Sequence, residues 1–320
     1  MKRNVYLKST DLKDISPILD LITRNHTIES ESISVIDSLN RISFKAVYAN
    51  VSSPFYSASA MDGIALKASL TYSASETTPV ILNKYDFVYI NTGNEIPDEF
   101  DAVVMIEDVY DNNDGTITLI KSVKPYQDIR PIGEDIVEGD MVIPKNHLIR
   151  PVDISALLSA GIGEIKVIKK PKVAIIPTGD EIIRDLKDLK KGKIIDSNSF
   201  FTKNELTLLN VDSTIFNVVV DEFELLENVI MEAVKNYDLL LIGAGSSAGT
   251  KDYVKNIIEK NGIVHVHGIS IKPGKPTIIG EINNIPIIGI PGYPVSTFIA
   301  FDLVVKPIIK LLLLPINLIT

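Results

Sequence analysis

The chain has 320 residues, of which 45% are hydrophobic, a formal net charge of −9 and no cysteine. This length allows two or three domains with real hydrophobic cores. The negative charge argues against nucleic acid as a partner. The lack of cysteine excludes disulfides and thiolate metal sites, and fits a reducing cytoplasm. No secretory signal follows Met1, and prolines and charges interrupt the apolar stretch 285–319, so no membrane partner is expected.

Two helices have recognisable ends in the sequence. The first is expected near residues 16–24, with Ser16 as its cap and Pro17 in its first turn, and it is expected to pack on a later α/β domain. In the second, Pro151 opens the helix and Gly161 closes it.

The first half is otherwise rich in short apolar runs separated by turns. A hairpin turn is expected at 112–115, and residues 51–130 are predicted to form an inserted β-rich domain. Residues 27–50 and 131–169 flank this insertion and are predicted to pair into an elongated connecting domain.

The second half alternates between strand and helix patterns. The predicted strands are 172–177, 213–220, 238–242, 264–271, 277–280 and 285–290. The predicted helices are 199–209, 222–235, 251–261 and 294–313. This order indicates a three-layer α/β domain with a mostly parallel sheet, formed by residues 1–26 and 170–314.

Polar clusters follow several of these strands, at the sheet edge where ligands bind in open parallel sheets. The glycine-serine loop after residue 242 could wrap an anion at the start of a helix, or could be an ordinary glycine-rich turn. The expected ligand-binding residues at this edge are Thr178, Gly179, Asp180, Glu181, Asp196, Ser197, Asn198, Gly243, Gly245, Ser246, Ser247, Gly249, Pro291, Gly292 and Ser296.

A loop with two lysines adds positive charge. Prolines stiffen Lys272-Pro273-Gly274-Lys275 and its flank, so the two ammonium groups suit a phosphate or another oxyanion, although they could also be solvated surface lysines. The carboxylates Asp180, Glu181, Asp196 and Asp252 suggest Mg²⁺ held jointly with substrate phosphates. They could equally cap helices, as Asp196 or Ser197 is placed to do before the helix at 199–209.

Three further motifs are weak individually. Asp62 stands on a glycine turn that an Asx-turn explains adequately, and Thr92-Gly93 and Asp135 lie in similar polar turns. His265 and His267 alternate on one strand, where a structural role is favoured over a metal site.

Taken together, the motifs resemble the molybdopterin molybdenumtransferase family, the MoeA proteins and the gephyrin E domain. They occur in the family's order from about residue 9 to residue 313. The matching segments are Ala60–Gly63, Thr92-Gly93, Gly133–Asp135, Thr178–Glu181, Asp196–Ser199, Ser246–Asp252, Lys272–Pro276 and Pro291–Ser296.

The resemblance implies an enzyme that inserts molybdate or tungstate into adenylylated molybdopterin and releases AMP. It implies Mg²⁺ as a cofactor, with Asp252 as a metal ligand, and a homodimer whose cleft includes the β-rich domain of the second subunit. The catalytic residues carried over by position are Asp62, Asp135, Glu181, Asp252, Lys272 and Lys275. The pterin-nucleotide contacts carried over add Thr92, Gly93, Pro273 and Gly274 to the ligand-binding residues above.

The sequence departs from the family pattern in three places. The loop from Gly243 to Ser247 replaces a usual Gly-Gly-Val-Ser, Tyr293 replaces a common Asn, and residues 315–320 would only begin the family's C-terminal β domain. The chain resembles a variant, archaeal-type branch, and the choice of metal stays open. The alternatives are a non-catalytic molybdopterin or oxyanion sensor, a dimeric scaffold, or a molybdopterin adenylyltransferase, whose usual Thr-Gly-Gly-Thr-Gly loop is absent.

Overall fold

The computed structural model describes residues 10–244 and 252–314. The chain divides into two compact units. One, called the α/β unit below, combines Met1–Glu31 with Ile168–Thr320, and the other, the β-rich unit, is Ser32–Val167. The finer predicted division into three domains stays a prediction. Within the described ranges, no helix is long and apolar enough to span a membrane.

Seven α-helices lie in the described residues. They are α1 (Ser16–Thr23), α2 (Pro151–Ser159), α3 (Ser197–Leu208), α4 (Phe223–Ala233), α5 (Tyr253–Asn261), α6 (Pro294–Ala300) and α7 (Lys306–Leu313). The π-helical segment Phe301–Val305 joins α6 to α7, so the predicted helix over 294–313 is confirmed with an irregular middle turn.

Twenty strands are present in the same described ranges. Those of the first half are β1 (Ser30–Ser34), β2 (Val47–Tyr48), β3 (Ala58–Ser59), β4 (Gly63–Leu66), β5 (Val80–Leu82), β6 (Phe87–Ile90), β7 (Ala102–Met105), β8 (Tyr110–Asp111), β9 (Ile117–Leu119), β10 (Ile129–Arg130), β11 (Met141–Ile143) and β12 (Glu164–Ile168). Those of the second half are β13 (Lys172–Ile176), β14 (Ile182–Ile183), β15 (Ile194–Ile195), β16 (Asp212–Ile215), β17 (Leu239–Ala244), β18 (Ile263–His267), β19 (Ile278–Ile282) and β20 (Ile285–Pro291).

The α/β unit is built on one six-stranded sheet with the order β16-β13-β17-β20-β19-β18. Neighbours from β16 to β20 are parallel, whereas β19 is antiparallel to both β20 and β18. Among these described strands only β19 runs against the others, which confirms a mostly parallel sheet. The chain places β16 on one side of β13 and then β17 on the other, so the order reverses at β13.

Both faces of this sheet are buried, which is why its strands are continuous apolar runs. Val173 and Ile175 face a layer that includes α1, α3 and the α6–α7 helix, and α1 therefore packs on this unit as predicted. Ala174 and Ile176 face the layer of α4 and α5.

Several element ends differ from expectation. Ser16 is already the first helical residue of α1 and no side chain caps that helix, so the predicted Ser16 cap is wrong, while Pro17 does lie in the first turn. The strand expected at 213–220 ends at Ile215, and the chain pairs again only at Val219, opposite Thr178. The expected Asp196 cap of α3 is confirmed, because its Oδ1 accepts the main-chain N–H of Ser199.

The β-rich unit contains two three-stranded antiparallel sheets, β6-β4-β7 and β5-β9-β8. The predicted hairpin turn at 112–115 joins β8 to β9, with Asn113 and Gly115 at positive φ. As expected, Pro151 opens α2, and Gly161 follows its end with φ +73°. β2 pairs with β11 and β3 with β10, across long stretches of sequence.

Candidate functional site

A cavity of about 570 Å³ opens at the carboxyl ends of β13, β17 and β20. The strand order reverses beside it, at the position where open α/β sheets bind ligands. Four predicted ligand-binding segments reach this cavity from separate parts of the α/β unit. Their lining residues are Thr178, Glu181, Asp196, Ser197, Asn198, Gly243, Pro291, Gly292 and Ser296.

The turn after β13 is held by hydrogen bonds to neighbouring elements. The Oγ1 of Thr178 donates to the carbonyl of Gly243 at 2.6 Å, which ties the ends of β13 and β17 together. Gly179 has a φ of +133°, and a Cβ there would lie 2.8 Å from a carboxylate oxygen of Glu181. Asp180 points elsewhere, since its Oδ1 accepts the main-chain N–H of Asp221 at 3.2 Å. Glu181 is therefore the acid of this turn that lines the cavity.

The amino end of α3 forms a second wall. Asp196 is 4% exposed, and the nearest cation to its Oδ2 is the Nε of Arg184 at 3.6 Å. The side-chain amide of Asn198 donates through Nδ2 to the carbonyl of Gly292 at 2.9 Å. This contact joins α3 to the turn after β20, so two of the predicted segments touch directly.

Sequence reasoning missed part of the lining. β14 pairs in parallel with β15, which brings Ile182 and Ile194 to the cavity as aliphatic walls. Thr297 also lines it and is buried, with its Oγ1 donating to the carbonyl of Pro291 at 2.8 Å. Ile182 and Ile194 were missed because the pairing of two short strands across a charged loop leaves no local periodic signal. Thr297 could have been found, because it directly follows the Pro291–Ser296 motif.

The lysine loop forms a hydrogen-bonded turn but does not line this cavity, apart from Pro276. Gly274 has a φ of +109°, and its carbonyl accepts the Oγ1 of Thr277 at 2.8 Å. Lys272 and Lys275 are exposed, and among the described residues neither ammonium group has an ion-pair partner. This closed turn and the exposed Pro273 therefore present two cations that no carboxylate of the described ranges neutralises.

Asp252 caps the amino end of α5, and both oxygens of its carboxylate have a partner. Its Oδ1 accepts the main-chain N–H of Lys255 at 3.4 Å, and its Oδ2 lies 2.9 Å from the Nε2 of His267. The predicted contacts of Gly245, Ser246, Ser247 and Gly249 lie outside the described residues. His265 instead faces Glu281 at 3.3 Å, which agrees with a structural role.

No group of three or more His, Cys, Asp or Glu side chains within the described ranges could enclose a metal ion. A protein-only metal cage is therefore not formed by this part of the chain. A single carboxylate such as Asp252 still fits Mg²⁺, because this ion commonly binds one or two carboxylates together with substrate phosphates and waters.

The β-rich unit brings Asp62 and Thr92 together. The Oδ1 of Asp62 accepts the main-chain N–H of Thr92 at 2.7 Å, and this bond, with the Thr92 side chain, lowers the pKa of the carboxyl group. The neighbouring Gly93, with φ +84°, donates its N–H to the carbonyl of Ser59 at 2.8 Å. Asp135 has a different partner, Arg130, at 3.0 Å.

A second cavity of about 550 Å³ in the α/β unit includes Lys170, Lys172 and Lys203. Its other lining residues include Thr207 at the carboxyl end of α3 and Asn236 just beyond α4. Helix carboxyl ends carry partial negative charge, which lysines stabilise and anions do not. This cavity is therefore a weaker candidate for an anionic ligand.

Comparison with known proteins agrees with the geometry in both halves of the chain. The family described as "MoeA N-terminal region (domain I and II)" matches residues 12–161, and that described as "Probable molybdopterin binding domain" matches residues 174–311. The chain is 36% identical to the molybdopterin molybdenumtransferase of Haemophilus influenzae, over 88% of this chain and 72% of that protein.

Two archaeal proteins are similar over more of the chain. A Methanocaldococcus jannaschii protein named for molybdopterin biosynthesis is 35% identical over 96% of this chain and 80% of its own length. A crystal structure of the MoeA protein from Pyrococcus horikoshii aligns with a TM-score of 0.81 and 32% identity, covering 96% of this chain and 80% of that one. The chain therefore belongs to the MoeA family of molybdopterin molybdenumtransferases, enzymes of molybdenum-cofactor biosynthesis.

Proposed function

We propose that the chain inserts molybdate or tungstate into adenylylated molybdopterin and releases AMP. In net terms, one water cleaves the phosphoanhydride to AMP and a monophosphate. The two dithiolene sulfurs replace one oxygen of the oxyanion, which leaves with their two protons as water. The metal keeps its oxidation state, so no redox partner is required. The sulfur ligands come from the pterin, which is compatible with a chain that has no cysteine.

The observation that carries this proposal is the convergence of four predicted segments on one cavity at the carboxyl edge of the sheet. Its volume of about 570 Å³ lies within the usual range for small-molecule sites. Aliphatic walls with polar groups at the ends suit a heterocyclic substrate that carries phosphate. Residues that follow β13, β17 and β20 meet the start of α3 at this cavity. A nonspecific surface groove would not require such a convergence.

The proposed roles follow from the chemistry of each group. Lys272 and Lys275 neutralise phosphate or oxyanion charge from a rigid loop, and Ser296 donates a hydrogen bond. Glu181 lines the cavity, and its carboxylate lies so close to Gly179 that a Cβ there would displace it. Asp252 would hold Mg²⁺ together with substrate phosphates, and the ion would supply neutralisation of phosphate charge there.

Other parts of the assignment stay predictions. They are the homodimer, the cytoplasmic location, the preference between molybdate and tungstate, and the participation of Asp62, Thr92, Gly93 and Asp135 in the same reaction. The Asp62–Thr92 contact supports only a shared role for these two residues.

The test is an AMP-release assay on the purified chain with adenylylated molybdopterin. We expect AMP only when Mg²⁺ and either molybdate or tungstate are both present. Binding of the pterin nucleotide without any AMP under these conditions would support a sensor or scaffold instead. Formation of the adenylylated compound from ATP and molybdopterin would support the adenylyltransferase alternative.

A further inference from the structure

Two oxygen atoms at the start of α3 are buried without a hydrogen-bond partner among the described residues. They are the Oδ2 of Asp196 and the Oδ1 of Asn198, and both residues line the cavity. The Oδ1 of Asp196 already accepts from Ser199, and the Nε of Arg184 is 3.6 Å from Oδ2, an ion-pair distance too long for a hydrogen bond. The Asn198 amide is oriented by its bond to Gly292, which leaves its oxygen as the unused atom.

Unused buried acceptors are rare because they lose hydration and gain nothing in return. Two of them here lie on residues 196 and 198 and border the same cavity. The acid is 4% exposed, so solvent at the protein surface does not satisfy it. A partner that enters through the cavity is the simplest source of the missing donors.

The missing partner must be a hydrogen-bond donor or a cation, because a carboxylate oxygen and an amide oxygen only accept. Hydrogen-bond donors fit better, because no group of three or more His, Cys, Asp or Glu side chains in the described ranges could hold a metal ion. The neighbouring walls are the aliphatic side chains of Ile182, Ile194 and Ile290. A slot with apolar walls and acceptors at one end suits a flat heterocycle that carries N–H groups on one edge.

The proposed substrate contains two ring systems, and they differ on this point. Each hydrogen-bonding edge of adenine places its amino donor beside a ring nitrogen that accepts. The aminopyrimidinone ring of a pterin places a ring N–H beside an exocyclic amino group, so that two donors lie side by side. Two acceptor oxygens therefore pair with both donors of the pterin edge. Against adenine, one of the two oxygens would face the lone pair of a ring nitrogen and be repelled.

We infer that the aminopyrimidinone ring of the substrate binds at the amino end of α3, where Asp196 Oδ2 and Asn198 Oδ1 accept its ring N–H and its amino group. Both oxygens are buried in this structure, so binding requires a small shift of Arg184 or of the first turn of α3. The inference rests on the proposed function, which supplies the pterin. It makes Asp196 and Asn198 the residues that select the pterin over the nucleotide base.

The test measures equilibrium binding of free pterin, of lumazine and of AMP to the full chain. Lumazine has the same bicyclic ring with an oxygen in place of the amino group. We expect wild type to prefer pterin, and Asp196→Asn to weaken pterin binding by about tenfold to hundredfold, with AMP binding unchanged. Asparagine caps helices about as well as aspartate, so α3 should be retained.

Asp185→Asn is the matched control, because Asp185 also caps a helical turn, through Lys187, but does not line the cavity. It should bind all three compounds like wild type. If Asp196→Asn fails to fold, Asn198→Ala provides the same comparison.

Undetectable pterin binding, an absent preference over lumazine, or an equal loss of AMP and pterin affinity in the variant would each overturn the inference. A chain that discriminates pterin from lumazine but never releases AMP would keep this subsite and reject the insertase. A chain that releases AMP equally well as wild type and as Asp196→Asn would keep the insertase and reject the subsite.

Discussion

The Nε2 of His267, on the last position of β18, lies 2.9 Å from the Oδ2 of Asp252, the residue that caps the amino end of α5. The same strand continues into the lysine loop, where the main-chain N–H of Ile269 donates to the carbonyl of Lys275 at 2.8 Å. The carboxylate and the lysine loop are thus both attached to one strand. We regard His267 as a residue that positions Asp252.

His267→Ala should lower the free energy of unfolding by about 1 kcal/mol, because it removes a partly buried hydrogen bond to a carboxylate. It should also raise the Mg²⁺ concentration needed for half-maximal AMP release severalfold. Denaturant unfolding and a Mg²⁺ titration measure the two effects. His265→Ala is the control, since His265 lies on the same strand as His267 but faces Glu281 of β19. An equal Mg²⁺ shift in both variants would argue against positioning.

Gly179→Ala should strongly reduce turnover, because a Cβ at φ +133° would lie 2.8 Å from the Glu181 carboxylate and displace it. Its control is Gly192→Ala, where φ is +87° but no atom lies within 4 Å of the new Cβ. Both substitutions carry backbone strain on the order of 1 kcal/mol. Steady-state kinetics should separate them, and comparable loss in the two variants would mean that strain alone is responsible.

Lys272→Ala and Lys275→Ala should each weaken binding of tungstate and of inorganic pyrophosphate by about tenfold. The reason is that each removes one of two cations that no carboxylate of the described residues neutralises. Calorimetric titration at two salt concentrations should show weaker binding at the higher one. Lys203→Ala removes an exposed lysine from the other cavity and should leave oxyanion binding intact. Full affinity in the double lysine variant would exclude the loop as the anion site.

The Asp62 carboxyl should titrate below its ordinary pKa of 3.8, because the Thr92 N–H and hydroxyl stabilise its charged form. This contribution to stability is present above the ordinary pKa and is lost as the pH falls through the lower pKa of the folded state. Thr92→Val should raise the Asp62 pKa in a carboxyl NMR titration while leaving Asp114 unchanged. Thr116→Val should raise the pKa of Asp114 and leave that of Asp62 unchanged, since Thr116 lowers the pKa of Asp114 in the same way. Equal behaviour of the two carboxyls in each variant would contradict this assignment.

Much of the fold could be predicted because its signals are local. The apolar runs of β13, β17 and β20 are continuous since both faces of the sheet are buried, and α4 buries Leu226, Ile230 and Ala233 at helical spacing. Asp196 was predictable as a cap because it precedes the apolar spacing of α3. The prediction of Ser16 as the cap of α1 was wrong, because the helix begins at Ser16 itself, one residue earlier than such a cap requires. Pro17 fits the first turn in either case.

The sequence by itself determined that a parallel α/β sheet exists, that polar turns follow its strands, and that the ordered motifs are those of the MoeA family. These features depend on residue type, spacing and chain order. Only the tertiary structure decided that β14 pairs with β15 to bring Ile182 and Ile194 to the cavity, and that Asp196 and Asn198 keep unused oxygens there. It also decided that Asp252 contacts His267 and that Asp62 contacts Thr92. Each of these contacts joins residues that are distant in the sequence, so no periodic pattern of residue types predicts it. It depends on how the strands and helices pack against one another.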